Sequence, residues 1–137
     1  MKVLLSIKPE YVDKILSGEK RFEFRKVSFS EQGITKVLIY ATKPVGKLVG
    51  EFEVTNIHEG SPELIWKLTK SFAGIDKKYF DSYYEGRNKA VAIAIGKVNV
   101  FKTPMDLNSL GERVTPPQSF CYIRNEVEQS QFEFNYI

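Results

Sequence analysis

PEYVDKILSGEKRFEFRK, residues 9–26, changes its period in the middle, and that change carries most of the fold. Pro9 suits a first helical turn, Tyr11/Val12 and Ile15/Leu16 form a helical stripe, and Gly18 can take the left-handed conformation that ends a helix. RFEFR then alternates with period two, which predicts a strand with Phe22 and Phe24 inward and Arg21, Glu23 and Arg25 on the other face. A solvated ion-pair face accounts for that charged row. So does a cleft that uses it, and the residues alone leave both open.

Working outward, MKVLLSI reads as a first strand rather than a secretory leader, because charge returns at Lys8 and Glu10. KVLIYAT and KLVGEFEVTNI are strands separated by the turn-forming KPVGK. SPELIWKL starts a helix with Ser61 as N-cap and Pro62 at the first position. DKKYFDSYYEG is a third helix from Asp76 to Gly86, with Ile75 and Phe80 placed as a hydrophobic staple. In KAVAIAIGKVNVF, Val91, Ile93 and Ile95 alternate with Ala90, Ala92 and Ala94, so both faces are covered, and Gly96 marks a bulge or bend. TPMDLNSL is expected as a short helical turn capped by Thr103, and PPQSFCYI and QFEFNYI as late strands. Clustered strands without regular β-α-β alternation predict an α+β fold: a small, mainly antiparallel β-barrel with flanking helices.

The 137 residues suit one core, taken as a single domain over 1–137. The composition is 42% hydrophobic and 27% charged, and no apolar run approaches the ~20 residues of a membrane span. A cytoplasmic location with no membrane contact is therefore expected. One cysteine, Cys121, excludes an internal disulfide framework, and with the single His58 it cannot supply a structural zinc site; neither metal nor cofactor is expected. A net charge of +3 permits contact with phosphates without requiring it.

No P-loop, glycine-rich dinucleotide fingerprint or glycine-flanked nucleophilic serine is present. His58 reads as an exposed histidine at a strand end, and Cys121 as a small core residue. Tyr79, Phe80, Tyr83 and Tyr84 form a stripe wider than a short helix must bury, which leaves one or two tyrosines to face a ligand or a protein partner. Lys20 lies in the turn after Gly18, with Glu23 and Arg25 on one side of the strand beyond it. Such a cation–carboxylate–cation group can attract phosphate, stabilise an oxyanion or move a proton.

SIKPEYVDKILSGEKRFEFRK resembles the ASCH domain, a branch of the PUA-like superfamily marked by a helix followed by Gly-x-Lys-x-x-Glu-x-Arg, here Gly18, Lys20, Glu23 and Arg25. The resemblance extends over the strand pair, the helical middle, KAVAIAIGKV and PPQSF. It implies a PUA-like β-barrel with a cleft floored by Lys20, Glu23 and Arg25, and with Lys8, Gln118 and Ser119 on its rim. It further implies RNA or a nucleotide as ligand, with roles in RNA metabolism or transcription coactivation. Should the protein be an enzyme, the implied activity is that of a metal-independent hydrolase of RNA or a modified nucleoside, with Lys20 and Glu23 catalytic. Some relatives deacetylate acetylcytidine with a lysine, a threonine and a glutamate. Lys20 matches the lysine, Glu23 stands where the threonine would be, and Glu63 is a candidate for the glutamate.

Overall fold

The computed structural model describes residues 1–110 and 120–123. Six strands and three α-helices follow one another as β1 (Lys2–Ile7), α1 (Pro9–Ser17), β2 (Phe22–Arg25), β3 (Lys36–Ala41), β4 (Lys47–Gly60), α2 (Pro62–Thr69), α3 (Lys77–Tyr83), β5 (Ala90–Met105) and β6 (Phe120–Ile123). The strands form one sheet in the order β2-β5-β4-β3-β1-β6, curled into a half-barrel. Among the described strands only β1 and β3 run parallel, because α1, β2 and the following loop return the chain across the sheet between them. Every other pairing is antiparallel.

Local chemistry sets the element ends. Gly18 closes α1 at φ 87°, its N–H donating to the Ile15 carbonyl. The Ser61 hydroxyl accepts from Leu64 N at the start of α2, and the Asp76 carboxylate accepts from Tyr79 N at the start of α3. The β4–β5 register slips between Phe52 and Asn56, opposite the segment that holds Gly96. A Cβ on Gly96 would lie 2.6 Å from the Thr55 methyl, so the bend needs glycine.

Ile93 packs with Val3, Leu5, Ile15 and Ile39 under α1, while Ala90 and Ala92 on the opposite face meet Phe24, Ile65, Phe80 and Tyr84 under α2 and α3. The alanines give the helices their close approach, as the alternation of β5 anticipates. Phe80 is the hub of that second cluster, with ring centres 5.2 Å from Phe24, 4.9 Å from Trp66 and 4.8 Å from Tyr84.

Of the two readings left open for the charged row of β2, a solvated face does not describe Glu23, which is buried and sits opposite Ile93 on the interior side of the half-barrel. Three expectations need correcting. Arg21 precedes the strand and leaves that row, its guanidinium 4.9 Å from the ring centre of Phe72. No helical turn begins at Thr103; β5 runs on to Met105 because β4 still supplies a partner in Leu48, and a 3-10 turn forms at Leu107–Leu110. His58 lies within β4, half-buried with its ring 6.3 Å from Phe22, since β4 extends past it to Gly60. The segment QFEFNYI and most of PPQSF lie outside the described residues, although Phe120–Ile123 does pair with β1 as a late strand.

Truncating Phe80→Ala opens a cavity at the meeting point of α2, α3 and β5, and should cost about 3–5 kcal/mol. Urea denaturation checks this, and a loss below about 1 kcal/mol would contradict the packing described.

Candidate functional site

The turn between α1 and β2 buries a lysine. Lys20 is 2% exposed, and its stem runs against the backbone of Gly74, where a Cβ would stand 2.5 Å from Lys20 Cβ. Gly74 (φ +68°) is therefore glycine both for its backbone conformation and for this contact. Three further bonds fasten the 72–74 loop onto the turn: Lys20 Nζ donates to the Ala73 carbonyl at 2.6 Å, Lys14 Nζ donates to the Gly74 carbonyl at 3.1 Å, and Arg21 N donates to the Phe72 carbonyl at 2.8 Å. The ammonium also lies 4.7 Å from the ring centre of Phe24 and 5.5 Å from that of Tyr11.

Burial pushes the Lys20 pKa down to about 8, with the Lys14 and Arg25 charges adding to the drop and the Glu23 carboxylate opposing it. Arg25 Nη2 donates to Glu23 Oε2 at 2.6 Å and to the Ser6 carbonyl at 3.2 Å. This fixes the guanidinium between β2 and β1. The Tyr84 hydroxyl, 2.8 Å from the Arg25 carbonyl and 3.2 Å from that of Val91, holds the end of β2 onto β5.

Above these groups lies a hollow of about 140 Å³. Lys20, Glu23, Phe24 and Arg25 supply one side, Ser6, Ile7 and Lys8 another, and Tyr11, Ile75, Tyr79 and Tyr83 the rest. Tyr11 and Tyr79 meet edge to face at 5.9 Å, and Lys8 Nζ lies 5.8 Å from the Tyr79 ring centre. Desolvation, followed by contact with Tyr79, raises the Tyr11 pKa, and burial likewise raises that of Tyr83, so both hydroxyls stay protonated near neutral pH. The combination is an aromatic wall over a floor that carries a donor, an acceptor and a fixed guanidinium.

Lys8, Lys20, Glu23 and Arg25 thus line one hollow. Gln118 and Ser119 lie outside the described residues. Glu63 opens α2 and lines a separate hollow with Ser61 and Asp81, away from Lys20. The charge pattern of residues 17–26 does not reveal Tyr11, Tyr79 and Tyr83. The excess width of the aromatic stripe on α3 was the available signal for the latter two, and Tyr11 reads simply as helix core. Cys121 is half-buried beside Leu4 and Leu38, and burial raises its thiol pKa. Among the described residues no group of three His, Cys, Asp or Glu side chains is placed to hold a metal, and no helix is long and apolar enough to cross a membrane.

Residues 5–99 match the ASCH domain, and the chain belongs to that family. It is 29% identical over 131 residues to an ASCH domain-containing ribonuclease of Zymomonas mobilis, covering 93% of this chain and 88% of that protein. The crystal structure of ASCH from Zymomonas mobilis superposes with a TM-score of 0.88 at 26% identity, covering 99% of this chain and 96% of that one. A large ribosomal subunit protein uL22 of Ureaplasma parvum is 30% identical over 123 residues, 89% of this chain but only 39% of that protein. An ATP synthase subunit alpha of Ureaplasma parvum matches over the same share of this chain and 15% of its own length. The chain therefore spans well under half of these two longer relatives.

The depressed pKa of Lys20 makes stability depend on pH with a definite sign. Between pH 8 and its ordinary 10.5 the unfolded chain holds a proton that the folded chain has released, so stability rises with pH through that window. Below pH 8 the folded state carries the full cost of the buried charge, about 3 kcal/mol in this relation. Tyr11 and Tyr84, whose pKa values are raised, act in the opposite sense only above pH 10. Urea midpoints for wild type should therefore rise from pH 7.5 to pH 9.5 relative to those of Lys20→Met. Parallel pH curves for the two proteins would contradict the burial of the charge.

Proposed function

We propose that this protein binds single-stranded RNA by taking one unstacked base into the hollow over Lys20, Glu23 and Arg25. The observation that carries the proposal is the size and lining of the hollow. At about 140 Å³ it matches the roughly 150 Å³ known to hold one benzene ring, so a base enters and its ribose and phosphate stay outside. Tyr11 and Tyr79 offer ring faces or edges for stacking. Glu23 accepts from a base N–H group, and Lys20 and Arg25 donate to ring or exocyclic acceptors. Lys8 stands at the mouth, where a phosphate would lie. The ribonuclease name of the Zymomonas mobilis relative supports an RNA ligand, and the recurrence of the matched stretch inside longer proteins supports reading 1–137 as one module.

A second reading places the scissile phosphodiester, instead of a base, in the hollow and makes the same floor catalytic; the Lys20 pKa of about 8 favours it, because a proton carrier works best near the ambient pH. In this reading an RNA 2′-oxygen bonds to the adjacent phosphorus and the bond from phosphorus to the 5′-oxygen breaks. Glu23 takes the 2′-hydroxyl proton, protonated Lys20 supplies one to the leaving 5′-oxygen, and Arg25 faces the charge on the phosphoryl oxygens. The products are a 2′,3′-cyclic phosphate and a 5′-hydroxyl. The ribonuclease name of the relative points the same way.

Titration of short labelled RNAs separates these readings from a purely structural role for the hollow. Tyr79→Ala, at a partly exposed position that folding should tolerate, is expected to weaken binding tenfold or more through lost stacking. Lys20→Ala combined with Arg25→Ala should weaken it further. Affinity unchanged in both variants would overturn base insertion. For the catalytic reading, 5′-labelled RNA incubated in EDTA should yield the cyclic phosphate with wild type, and at least a hundredfold more slowly with Glu23→Gln. Equal release by the two proteins would assign the cleavage to a contaminant.

A further inference from the structure

Beside the base-sized hollow lies a second, wider one of about 450 Å³ lined by Lys26, Val27, Gly86, Arg87, Asn88 and Lys89, all of them exposed. Two chain segments build it, and both leave from points close to the first hollow. Lys26 directly follows Arg25, whose carbonyl is held by the Tyr84 hydroxyl at 2.8 Å, so the end of β2 is anchored where Lys26 emerges. On the other side α3 ends at Tyr83, Arg87 N donates to the Tyr84 carbonyl at 2.9 Å, and Gly86 (φ +74°) makes the turn. Tyr83 joins the two hollows: it lines the first, and the Lys26 ammonium, which lines the second, rests 4.8 Å from its ring centre. The charge of Arg87 also acts on the Tyr83 hydroxyl. Lys89 pairs with Glu59 at 2.8 Å, but both side chains are well exposed, and a pair of that kind is weak enough to be shared with a passing anion.

The shapes and charges of the two hollows are complementary. The first is narrow, aromatic and partly desolvated, suited to a ring. The second is broad, exposed and ringed by three cations, suited to a sugar–phosphate chain that stays in water. We propose that Lys26, Arg87 and Lys89 hold the backbone phosphates that neighbour the inserted base, so that the ligand is an RNA strand of at least three nucleotides rather than a free nucleoside. The proposal rests on base insertion at the first hollow. It adds a direction of travel: the strand leaves past Tyr83, between the end of β2 and the turn after α3.

Calorimetry with wild-type protein, a mixed-sequence RNA pentanucleotide and the four free nucleosides, from 50 to 300 mM KCl, tests it. Three phosphate contacts here and one at Lys8 predict a slope of log affinity against log salt of about −3 for the pentanucleotide and near zero for the nucleosides. The combined variant Lys26→Ala, Arg87→Ala and Lys89→Ala, all exposed positions, should weaken the pentanucleotide at least tenfold at 50 mM KCl. It should also flatten the slope and leave nucleoside affinity as it was. Lys26→Arg with Lys89→Arg should keep both affinity and slope. A pentanucleotide that binds no tighter than the best nucleoside, or whose slope survives the triple alanine variant, overturns the phosphate track and leaves base insertion standing. A slope lost in the triple variant, while Tyr79→Ala and the Lys20→Ala, Arg25→Ala variant both bind like wild type, removes base insertion and leaves only a phosphate-binding surface. Displacement of the RNA by polyglutamate at equal charge concentration would mark a general polyanion surface and overturn the assignment to RNA.

Discussion

A charged lysine side chain enclosed by protein is the constraint around which this structure is arranged. Removing an ammonium from water costs several kcal/mol, and the cost is offset only where polar partners and ring faces replace the lost hydration. Lys20 finds the Ala73 carbonyl, the faces of Phe24 and Tyr11, and the nearby Glu23 carboxylate. They come from three elements: the loop between α2 and α3 gives Ala73, helix α1 gives Tyr11, and strand β2 gives both Phe24 and Glu23. The residue that bears the cost is thus also the one that draws the elements of the site together. Gly74 belongs to the same device, because any larger residue there would strike the lysine stem.

Burial on this scale is a poor way to gain stability, since an apolar side chain of similar size would fill the same space at lower cost. Its consequence is chemical. The Lys20 pKa falls to about 8, and the side chain is held against an aromatic wall and beside a carboxylate already engaged by arginine. A second buried ion pair, Lys2 with Glu51, shows the contrast. It lies between core strands, joined by Lys36, and lines none of the hollows described above. Of the two lysines buried among the described residues, Lys20 borders the hollow walled by Tyr11 and Tyr79.

Much of this was legible in the chain. The change of period after Gly18, the alternation of large and small residues along β5, and the Ser61 and Asp76 caps each act through local geometry, and the structure follows them closely. The spacing of Lys20, Glu23 and Arg25 announced a charged group. Period two alone left open whether it met water or protein, because that depends on which elements pack against β2. Strand β5 pairs with it, Arg25 reaches the Ser6 carbonyl of β1, and the 72–74 loop bonds to Arg21, and no local pattern encodes their arrival. Tyr11 was illegible for the same reason: a helical residue packed on core and one that walls a hollow share the same spacing. Arg21 was misplaced because the strand begins one residue later, at Phe22, after the turn has rotated its side chain toward Phe72. The extent of β5 to Met105 follows from a partner strand some fifty residues earlier, beyond the reach of any local reading.

The most direct test of a desolvated Lys20 sharing its hollow with a ligand is an NMR titration of the lysine side chains, assigned through Lys20→Arg, with and without a short single-stranded RNA. A buried Lys20 should titrate near 8, and its midpoint should move by at least half a pH unit when RNA is present. A Lys20 signal that titrates at the ordinary 10.5 of a lysine, or a depressed midpoint that no RNA moves, would contradict this picture.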